Sequence, residues 1–235
     1  MVYSENISED MPANNMAERA AQGVKLLGAG VVKVVHRCDD AKESKILDLS
    51  SCSLTQVPDA VYFLMRASDG KVSNINIIKV IITYYKDLAQ DDPFRHKNEI
   101  QKCNLSTNLI TKIPPKFGFC FQQLTTLNLS GNRISILPGE LIHCSQLQSV
   151  DISINSFVVF PPVLLEIESI TDIKAKNNFI ADVDDEALEE HPNLELVNLE
   201  ENPLDAGTHA RLSRLEGLRI VITERSLQEW EDLSC

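Results

Sequence analysis

Long apolar runs are missing from this 235-residue chain. The most β-prone stretch, residues 75–85, is shorter than the roughly 20 residues that a membrane-spanning helix needs, and it contains Lys79. Residues 1–12 are acidic and lack the apolar core of a signal peptide. From the sequence we therefore expect no membrane contact and a cytoplasmic location.

Cysteine pairs at metal-binding spacings are also missing. The six cysteines form no C-x-x-C motif and show none of the clustering of extracellular disulfide-bonded caps. The five histidines form no ligand pair at short helical or strand spacing. This distribution predicts a reducing, intracellular compartment and no bound metal.

Motifs for catalysis are absent as well. The sequence contains no glycine-rich phosphate loop, no nucleophile elbow and no Cys/His arrangement. The acidic pairs Asp184-Asp185 and Glu189-Glu190 fall in a polar segment, where carboxylates remain solvated with ordinary acidity. We expect a chain that is not an enzyme and that uses no cofactor.

Positive charge is scarce in the last quarter of the chain. The formal net charge is −12, and residues 181–235 hold 15 acidic and 4 basic residues, which gives −11 there and −1 for the other 180 residues. Nucleic-acid binding requires a basic stripe, so no nucleic-acid partner is expected. We interpret the acidic pole as a solubility feature; the alternative is a docking site for a basic protein surface.

The chain does contain one short apolar phrase repeated six times. Its clearest copy, at residues 124–134, reads Leu-x-x-Leu-x-Leu-x-x-Asn-x-Ile. In five copies an asparagine lies three residues after the second apolar residue of the predicted strand. Successive asparagines are 24, 23, 23 and 24 residues apart. These residues are Asn108, Asn132, Asn155, Asn178 and Asn202, and Cys52 takes the same position in the first copy.

Each position of the phrase has a physical role. Apolar residues two apart in a short strand point to the same face, which we expect to enter a core shared by neighbouring repeats. Where the strand ends, a buried turn leaves backbone N–H and C=O groups unpaired. An asparagine side chain can both donate to and accept from such groups, so the in-phase asparagines predict a hydrogen-bonded column.

These repeats resemble the typical or plant-like leucine-rich repeats of intracellular proteins. The N-terminal amphipathic helix, Leu47-Asp48-Leu49 after it and the segment 197–204 are similar to the leucine-rich repeat-containing protein 20 family. The resemblance covers nearly everything except residues 72–99. It implies an α/β solenoid: a short curved parallel sheet on the concave face, short helices, 3-10 turns and loops on the convex face, and an N-terminal capping helix. It also implies an intracellular interaction protein without catalytic residues.

Solenoids expose their core at both ends unless these are covered. We therefore divide the chain into a disordered start with an N-terminal capping helix (1–40), six repeats (41–204) and a C-terminal cap (205–235). Apolar residues at helical spacing place the first helix at 16–36. The C-terminal cap is predicted to contain a helix over 210–218, a strand over 218–222 and Trp230 packed on the core.

Residues 72–99 interrupt the repeats. Phe, Tyr, Met, Ile, Asn and Lys, which AT-rich codons encode, make up 14 of these 28 residues but only 52 of the other 207. Removing the block shortens the interval from Cys52 to Asn108 from 56 to 28, close to one repeat. One hypothesis is therefore a translated intron and hence an aberrant isoform; the other is a genuine surface loop.

A protein partner of unknown identity is expected on the concave face, and the chain is expected to be a monomer. The strand residues that alternate with buried ones are polar and almost free of aromatic rings, which suits a weak, polar or multi-point contact. The candidate partner-binding residues are Asp48, Asn104, Thr126, Asn128, Ser149, Asp151, Asp172, Lys174, Asn198 and Glu200. Together these features predict a non-catalytic adaptor or regulatory subunit.

Overall fold

A computed structural model of the chain describes residues 28–58, 61–62 and 99–224, without the side chains of residues 28–32 and 35. Three predicted features lie outside these residues. They are the start of the chain with the first half of the predicted capping helix, the interrupting block 72–98 and Trp230. The described residues contain the sheet, the helices on its other side and the core between them.

Seven short strands form one open parallel sheet in sequence order. The first six each come from one copy of the repeated phrase, and the seventh follows the last repeat. Their bounds are β1 (Ile46–Asp48), β2 (Lys102–Asn104), β3 (Thr126–Asn128), β4 (Ser149–Asp151), β5 (Asp172–Lys174), β6 (Leu196–Asn198) and β7 (Arg219–Val221). The predicted parallel sheet is confirmed.

The helix α1 (Gly28–Ser44) precedes the first strand. Short helices connect the later strands on the other side of the core: α2 (Lys116–Cys120), a 3-10 helix η1 (Gly139–His143), a 3-10 helix η2 (Pro162–Leu164), α3 (Asp185–Glu189) and α4 (Ala206–Leu212). Some of them pack very closely: a Cβ at Gly118 of α2 would lie 1.9 Å from the Glu140 carbonyl oxygen of η1. Only glycine fits this contact. The predicted combination of an open parallel sheet with short helices and 3-10 turns is confirmed.

The core lies between the sheet and the helices and runs through all repeats. In each of the first six strands the middle residue is buried, and so is the residue two positions later. In register, the first set is Leu47, Cys103, Leu127, Val150, Ile173 and Val197. Each fully buried aliphatic side chain contributes about 1.5–3 kcal/mol relative to an exposed one. The period-2 prediction for the strands is therefore confirmed.

The side chains of the column asparagines form a row of hydrogen bonds just after the ends of the strands. The Asn132 Oδ1 accepts from the Ile110 N–H (3.0 Å), while its Nδ2 donates to the carbonyls of Leu105 (3.0 Å) and Leu129 (2.9 Å). One side chain thus joins its own repeat to the preceding one. Equivalent bonds are made by Asn108, Asn155, Asn178 and Asn202. The predicted hydrogen-bonded column is confirmed.

The residue before the column position has a left-handed backbone in every repeat. Its φ lies between 51° and 66° in Ser51, Thr107, Gly131, Ile154, Asn177 and Glu201. This conformation turns the chain so that the column side chain points back into the core. Glycine and asparagine tolerate it best, whereas a β-branched residue such as Ile154 is strained there.

The helix α1 covers the N-terminal end of the core. Val34, Cys38 and Ala41 form its buried face. Arg37 reaches past the end of β1, where its Nη1 donates to the carbonyls of Asp48 (3.1 Å) and Ser50 (2.7 Å). The capping helix is therefore present, but it continues to Ser44, eight residues beyond the predicted end at His36. Those residues are helical because Cys38 and Ala41 extend the apolar face.

The C-terminal end is less well buried. The predicted final strand is present as β7, but the apolar residues Leu218, Ile220 and Ile222 around it are only partly buried. The predicted helix over 210–218 begins earlier and ends earlier, as α4. Asp205 caps its start, because its Oδ1 accepts from the Thr208 N–H at 2.7 Å.

The first two repeats stack directly on each other despite the block between them. β1 pairs with β2 in the same parallel register as every other pair, with Leu47 opposite Cys103. The carbonyl of Leu49 also accepts from the Asn108 side chain at 2.9 Å. The two repeats are therefore in direct contact, and this pairing gives no support to the translated-intron hypothesis.

We expect Asn155→Ala to lower the free energy of unfolding by about 2–4 kcal/mol, because the change leaves the Ile134 N–H and the carbonyls of Leu129 and Ile152 without partners in the core. Urea denaturation followed by circular dichroism measures this loss. The matched control is Asn193→Ala, which removes a single exposed donor to the Glu168 carbonyl and should cost less than about 1 kcal/mol. Equal losses would contradict a special role for the asparagine column.

The buried thiols provide a second prediction. Burial raises the pKa of Cys38 and Cys144 to about 12, and burial raises the pKa of Cys103 further. Near about pH 8 these three thiols should therefore form about a thousandfold less thiolate than a free cysteine, and alkylation should require unfolding. N-ethylmaleimide labelling with peptide mass spectrometry, with and without urea, measures this. Rapid labelling of Cys103 in the native protein would contradict it.

Candidate protein-interaction surface

The ten predicted partner-binding residues lie on the outward face of the sheet, here called the sheet face. Residues at the same position of neighbouring strands form rows across the sheet. The first residues of β3, β4 and β5, which are Thr126, Ser149 and Asp172, form one row. The last residues of β1 to β6 form the next row: Asp48, Asn104, Asn128, Asp151, Lys174 and Asn198. Glu200 lies two residues after β6. None of the ten residues is buried. The structure thus brings all ten together on one surface.

Half of these residues have a structural task that the sequence analysis missed. The side-chain Oδ1 atom accepts from the backbone N–H two residues later, at 2.9–3.0 Å. This bond turns the chain at the end of the strand, as Asx turns do. It is made by Asp48, Asn104, Asn128, Asp151 and Asn198. The signal was available as the recurring Asp/Asn-x-Ser spacing in four repeats.

Lys174 breaks this row, because lysine cannot accept a hydrogen bond. Its Nζ lies 4.0 Å from Asp172 Oδ2, a long ion pair that leaves the ammonium exposed. Two residues later, Lys176 Nζ lies 3.6 Å from Glu200 and 3.0 Å from Glu201, both in the next repeat. A hydrogen bond from Lys176 to Glu201, with the charges of Glu200 and Glu201, raises the pKa of Lys176.

We name Asp172, Lys174, Lys176, Glu200 and Glu201 the charged corner. The sheet face changes character along its length, since repeats 2 to 4 present mainly hydroxyl and amide groups, whereas the charged corner in repeats 5 and 6 concentrates both signs of charge. Glu201 was missed because it occupies the left-handed position, outside the strand alternation. Exposed ion pairs of this kind are weak and can exchange partners on binding.

A second surface lies beside the asparagine column, on the loops that leave the strands. Here apolar side chains are exposed over three consecutive repeats: Ile136, Ile154, Val158, Val159 and Phe179. We call this surface the loop edge. The strand alternation does not select these positions, so the sequence analysis missed them; the signal was the apolar residues at fixed offsets from the column asparagines.

A cleft of about 440 Å³ lies near the C-terminal end, between α3 and α4. Its lining includes Asp185 and Arg211, and ion pairs occupy it: the Arg211 guanidinium lies 2.6 Å from Asp185 and 2.8 Å from Asp182. These contacts tie the last helix to the repeat before it. In the described ranges no group of three or more His, Cys, Asp or Glu side chains could hold a metal ion.

No helix among residues 28–58, 61–62 and 99–224 combines the length and the apolar character that crossing a membrane demands. All five cysteines in those ranges are buried. Burial is the main cause of the raised pKa values of Cys38, Cys103 and Cys144, so these three thiols are poor nucleophiles.

Comparison with known proteins links the chain to one repeat family. Residues 98–157 match the family described as leucine rich repeat. The chain is 24% identical over 167 residues to an adenylate cyclase of Schizosaccharomyces pombe, covering 64% of this chain and 10% of that protein. It is 30% identical over 86 residues to leucine-rich repeat serine/threonine-protein kinase 1 of Mus musculus, covering 35% of this chain and 4% of the kinase. The chain thus spans a tenth or less of the length of these relatives.

Solved structures also show likeness. A leucine-rich repeat protein of Leptospira interrogans is 26% identical with a TM-score of 0.47, covering 51% of this chain and 30% of that one. The leucine-rich repeat domain of a Shigella effector is 17% identical with a TM-score of 0.47, covering 90% of this chain and 98% of that one.

The chain's own geometry agrees with the matched segment. Six copies of the phrase each supply one strand to a parallel sheet in register. An asparagine at the same position of five copies bridges each repeat to the one before it. With the match over residues 98–157, these observations support a leucine-rich repeat solenoid.

Proposed function

We propose that this chain is a non-catalytic module that binds a protein partner through its sheet face, as an intracellular adaptor or regulatory subunit. One observation carries the proposal. Purely parallel sheets are normally covered on both faces, because their strands are buried on both sides. Here the described residues cover only one face of a seven-stranded parallel sheet, and the other face is polar and open.

Within the sheet face, the charged corner is the best candidate for the contact. The Asx turns of repeats 1 to 4 occupy the acceptor oxygens of Asp48, Asn104, Asn128 and Asp151. Lys174 and Lys176 instead present ammonium groups held only by exposed carboxylates. A partner with a complementary pattern of charges can replace these ion pairs, and the order of the charges along the sheet can determine which partner binds.

The character of the surface also sets the expected strength and kind of partner. The ten residues of the sheet face include no tryptophan, tyrosine or arginine, the usual residues of interface hot spots. We therefore expect a modest affinity, in roughly the micromolar range. The acidic last quarter of the chain argues against a nucleic-acid partner. Free, buried cysteines suit a reducing compartment, which supports the proposed intracellular location.

The three-part organisation remains part of the proposal, with residues 1–40 preceding the repeats, residues 41–204 forming them and residues 205–235 closing them. Residues 72–99 form an insertion in the sequence between β1 and β2. Since loop closure costs only about 0.6 kcal/mol for each doubling of loop length, such an insertion is compatible with the stacked repeats.

The test is a charge exchange on the sheet face. The double change Asp172→Lys and Lys174→Glu keeps the net charge but reverses the local pattern. It should abolish capture of the partners that the parent chain recovers in proximity labelling. Circular dichroism should show that the double variant stays folded, a check that is needed because the Asp172 side chain is half-buried. Glu166→Lys, an exposed residue on the opposite side after η2, is the control and should retain them. Unchanged capture by the double variant would overturn the proposed surface.

A further inference from the structure

The loop edge is the most exposed apolar surface in the described part of the chain. Its side chains are exposed by between 58% for Ile154 and 70% for Ile136. They are also contiguous, because backbone hydrogen bonds join the neighbouring loops: the Phe179 N–H donates to the Phe157 carbonyl beside Val158, and the Ser156 N–H donates to the Ile134 carbonyl. Contiguous exposed apolar patches on water-facing surfaces mark contact sites.

Ile154 adds a second observation. It has φ 54° at the left-handed position, where the neighbouring repeats have Gly131 and Asn177. A β-branched residue is strained in this conformation, as Thr107 also is in repeat 2. Ile154 differs from Thr107 because its side chain is apolar and mostly exposed. Strain of this kind is a reason to look for a role in binding.

The arrangement of the loop edge is self-complementary. The row four residues after the column asparagines reads Lys112, Ile136, Val159 and Asp182 along repeats 2 to 5. Reversing the order places Lys112 against Asp182 and Ile136 against Val159. The row one residue after the asparagines places Leu109 against Phe179 at the ends and the exposed Arg133 against Ser156 at the centre. The row before them places Ile154 against Gly131, which has no side chain to obstruct it.

We propose that the loop edge is an isologous interface between two copies of this chain. A two-fold axis lying in the interface, across the loops between repeats 3 and 4, runs the two solenoids antiparallel. Each row of one copy then faces the same row of the other copy in reversed order, so that repeat 2 faces repeat 5 and repeat 3 faces repeat 4, as a two-fold contact requires. Ile136 and Val159 meet near the axis beside Arg133 and Ser156, and one lysine–aspartate pair closes each end. A dimer differs from the sequence-based expectation of a monomer, which stays a prediction.

Charge complementarity favours a second copy over a different protein. The loop edge has the exposed Lys112 at one end, while Asp182 and the acidic last repeats lie at the other. Only an antiparallel copy supplies both matching ends without any further assumption. The patch extends over four repeats, or about 20 Å at the spacing of neighbouring strands. That size fits the small end of specific interfaces and a dimer of roughly micromolar affinity.

Sedimentation velocity of the full chain under reducing conditions, from about 1 to about 300 µM, tests the proposal. We expect a monomer–dimer equilibrium. Val159→Asp should weaken the dimer by about a hundredfold, because it places two charges against Ile136 near the axis. Phe179→Asp should also weaken it, because it places a charge against Leu109 in each end repeat. The matched control is Ile142→Asp, another exposed isoleucine that lies in η1 away from the loop edge, and it should leave the equilibrium unchanged.

A charge exchange tests the antiparallel geometry. Lys112→Glu alone and Asp182→Lys alone should each weaken the dimer about tenfold, since both end pairs become repulsive. Mixing the two variants should restore the parent affinity, because both end pairs of the mixed dimer are attractive again. A local folding defect at Asp182, whose carboxylate also binds Arg211 and Thr208, would persist after mixing.

A single monomeric species over the whole concentration range would overturn the proposal. So would a dimer that Phe179→Asp and Val159→Asp leave intact, or variants that stay weak when mixed. These results are separate from the proposed function, because the loop edge and the sheet face share no residue tested by both experiments. A chain that remains monomeric could still bind a partner through its sheet face, and loss of that partner would leave the dimer in place.

Discussion

The hydrogen bonds of the column asparagines are the interaction on which the rest of this structure depends. A strand of three residues buries too little surface to be stable alone, and its parallel neighbours offer only slanted hydrogen bonds. Each column side chain adds bonds in both directions, to a carbonyl of its own repeat and to groups of the preceding one. Because these groups are buried, the bonds could not be replaced by water. The column bonds therefore hold neighbouring repeats together just after the end of each strand.

The same column determines what the two outer surfaces can present. To point an asparagine inward, the chain must turn sharply, and the preceding residue enters the left-handed region. On the sheet side, Asx turns begin this change of direction. Their side-chain oxygens accept backbone hydrogen bonds and are therefore less available to a partner. On the loop side, the residues after the asparagine emerge at fixed offsets. Their identity is free of core constraints, and in repeats 3 to 5 several of them are apolar.

Much of the fold could be predicted because its physics is periodic. The spacing of asparagines and alternating leucines indicated the strands, their parallel register and their shared core, and all three are present from β1 to β6. Features without a period were predicted less well. The helix α1 runs past His36 because Cys38 and Ala41 still pack on the first repeat, a tertiary contact that local spacing does not reveal. The helix α4 is placed by the Asp205 cap and by the bonds of Arg211 across the cleft, which join residues far apart in sequence.

The candidate surface was predicted in position but not in detail. Alternation correctly put ten polar residues on one face, yet it could not separate a side chain that faces a partner from one that bonds its own backbone. Asp151 and Lys174 look equivalent in a strand pattern, although one is fixed by the Ser153 N–H and the other is held only by a long ion pair. The loop edge was overlooked because it lies between regular elements, where no periodic argument applies.

The unequal burial of the two ends gives the solenoid a direction. A repeat protein behaves as a one-dimensional chain of coupled units, so unfolding starts where a unit has only one neighbour and the weakest contact. The helix α1 gives the first repeat a second neighbour, whereas β7 leaves its own apolar residues half exposed. Acidic residues gather near that same end and repel each other. Under heat, denaturant or a pulling force, the stack should open like a zipper from β7 towards α1, so that the last repeats sample open states while the first remain closed.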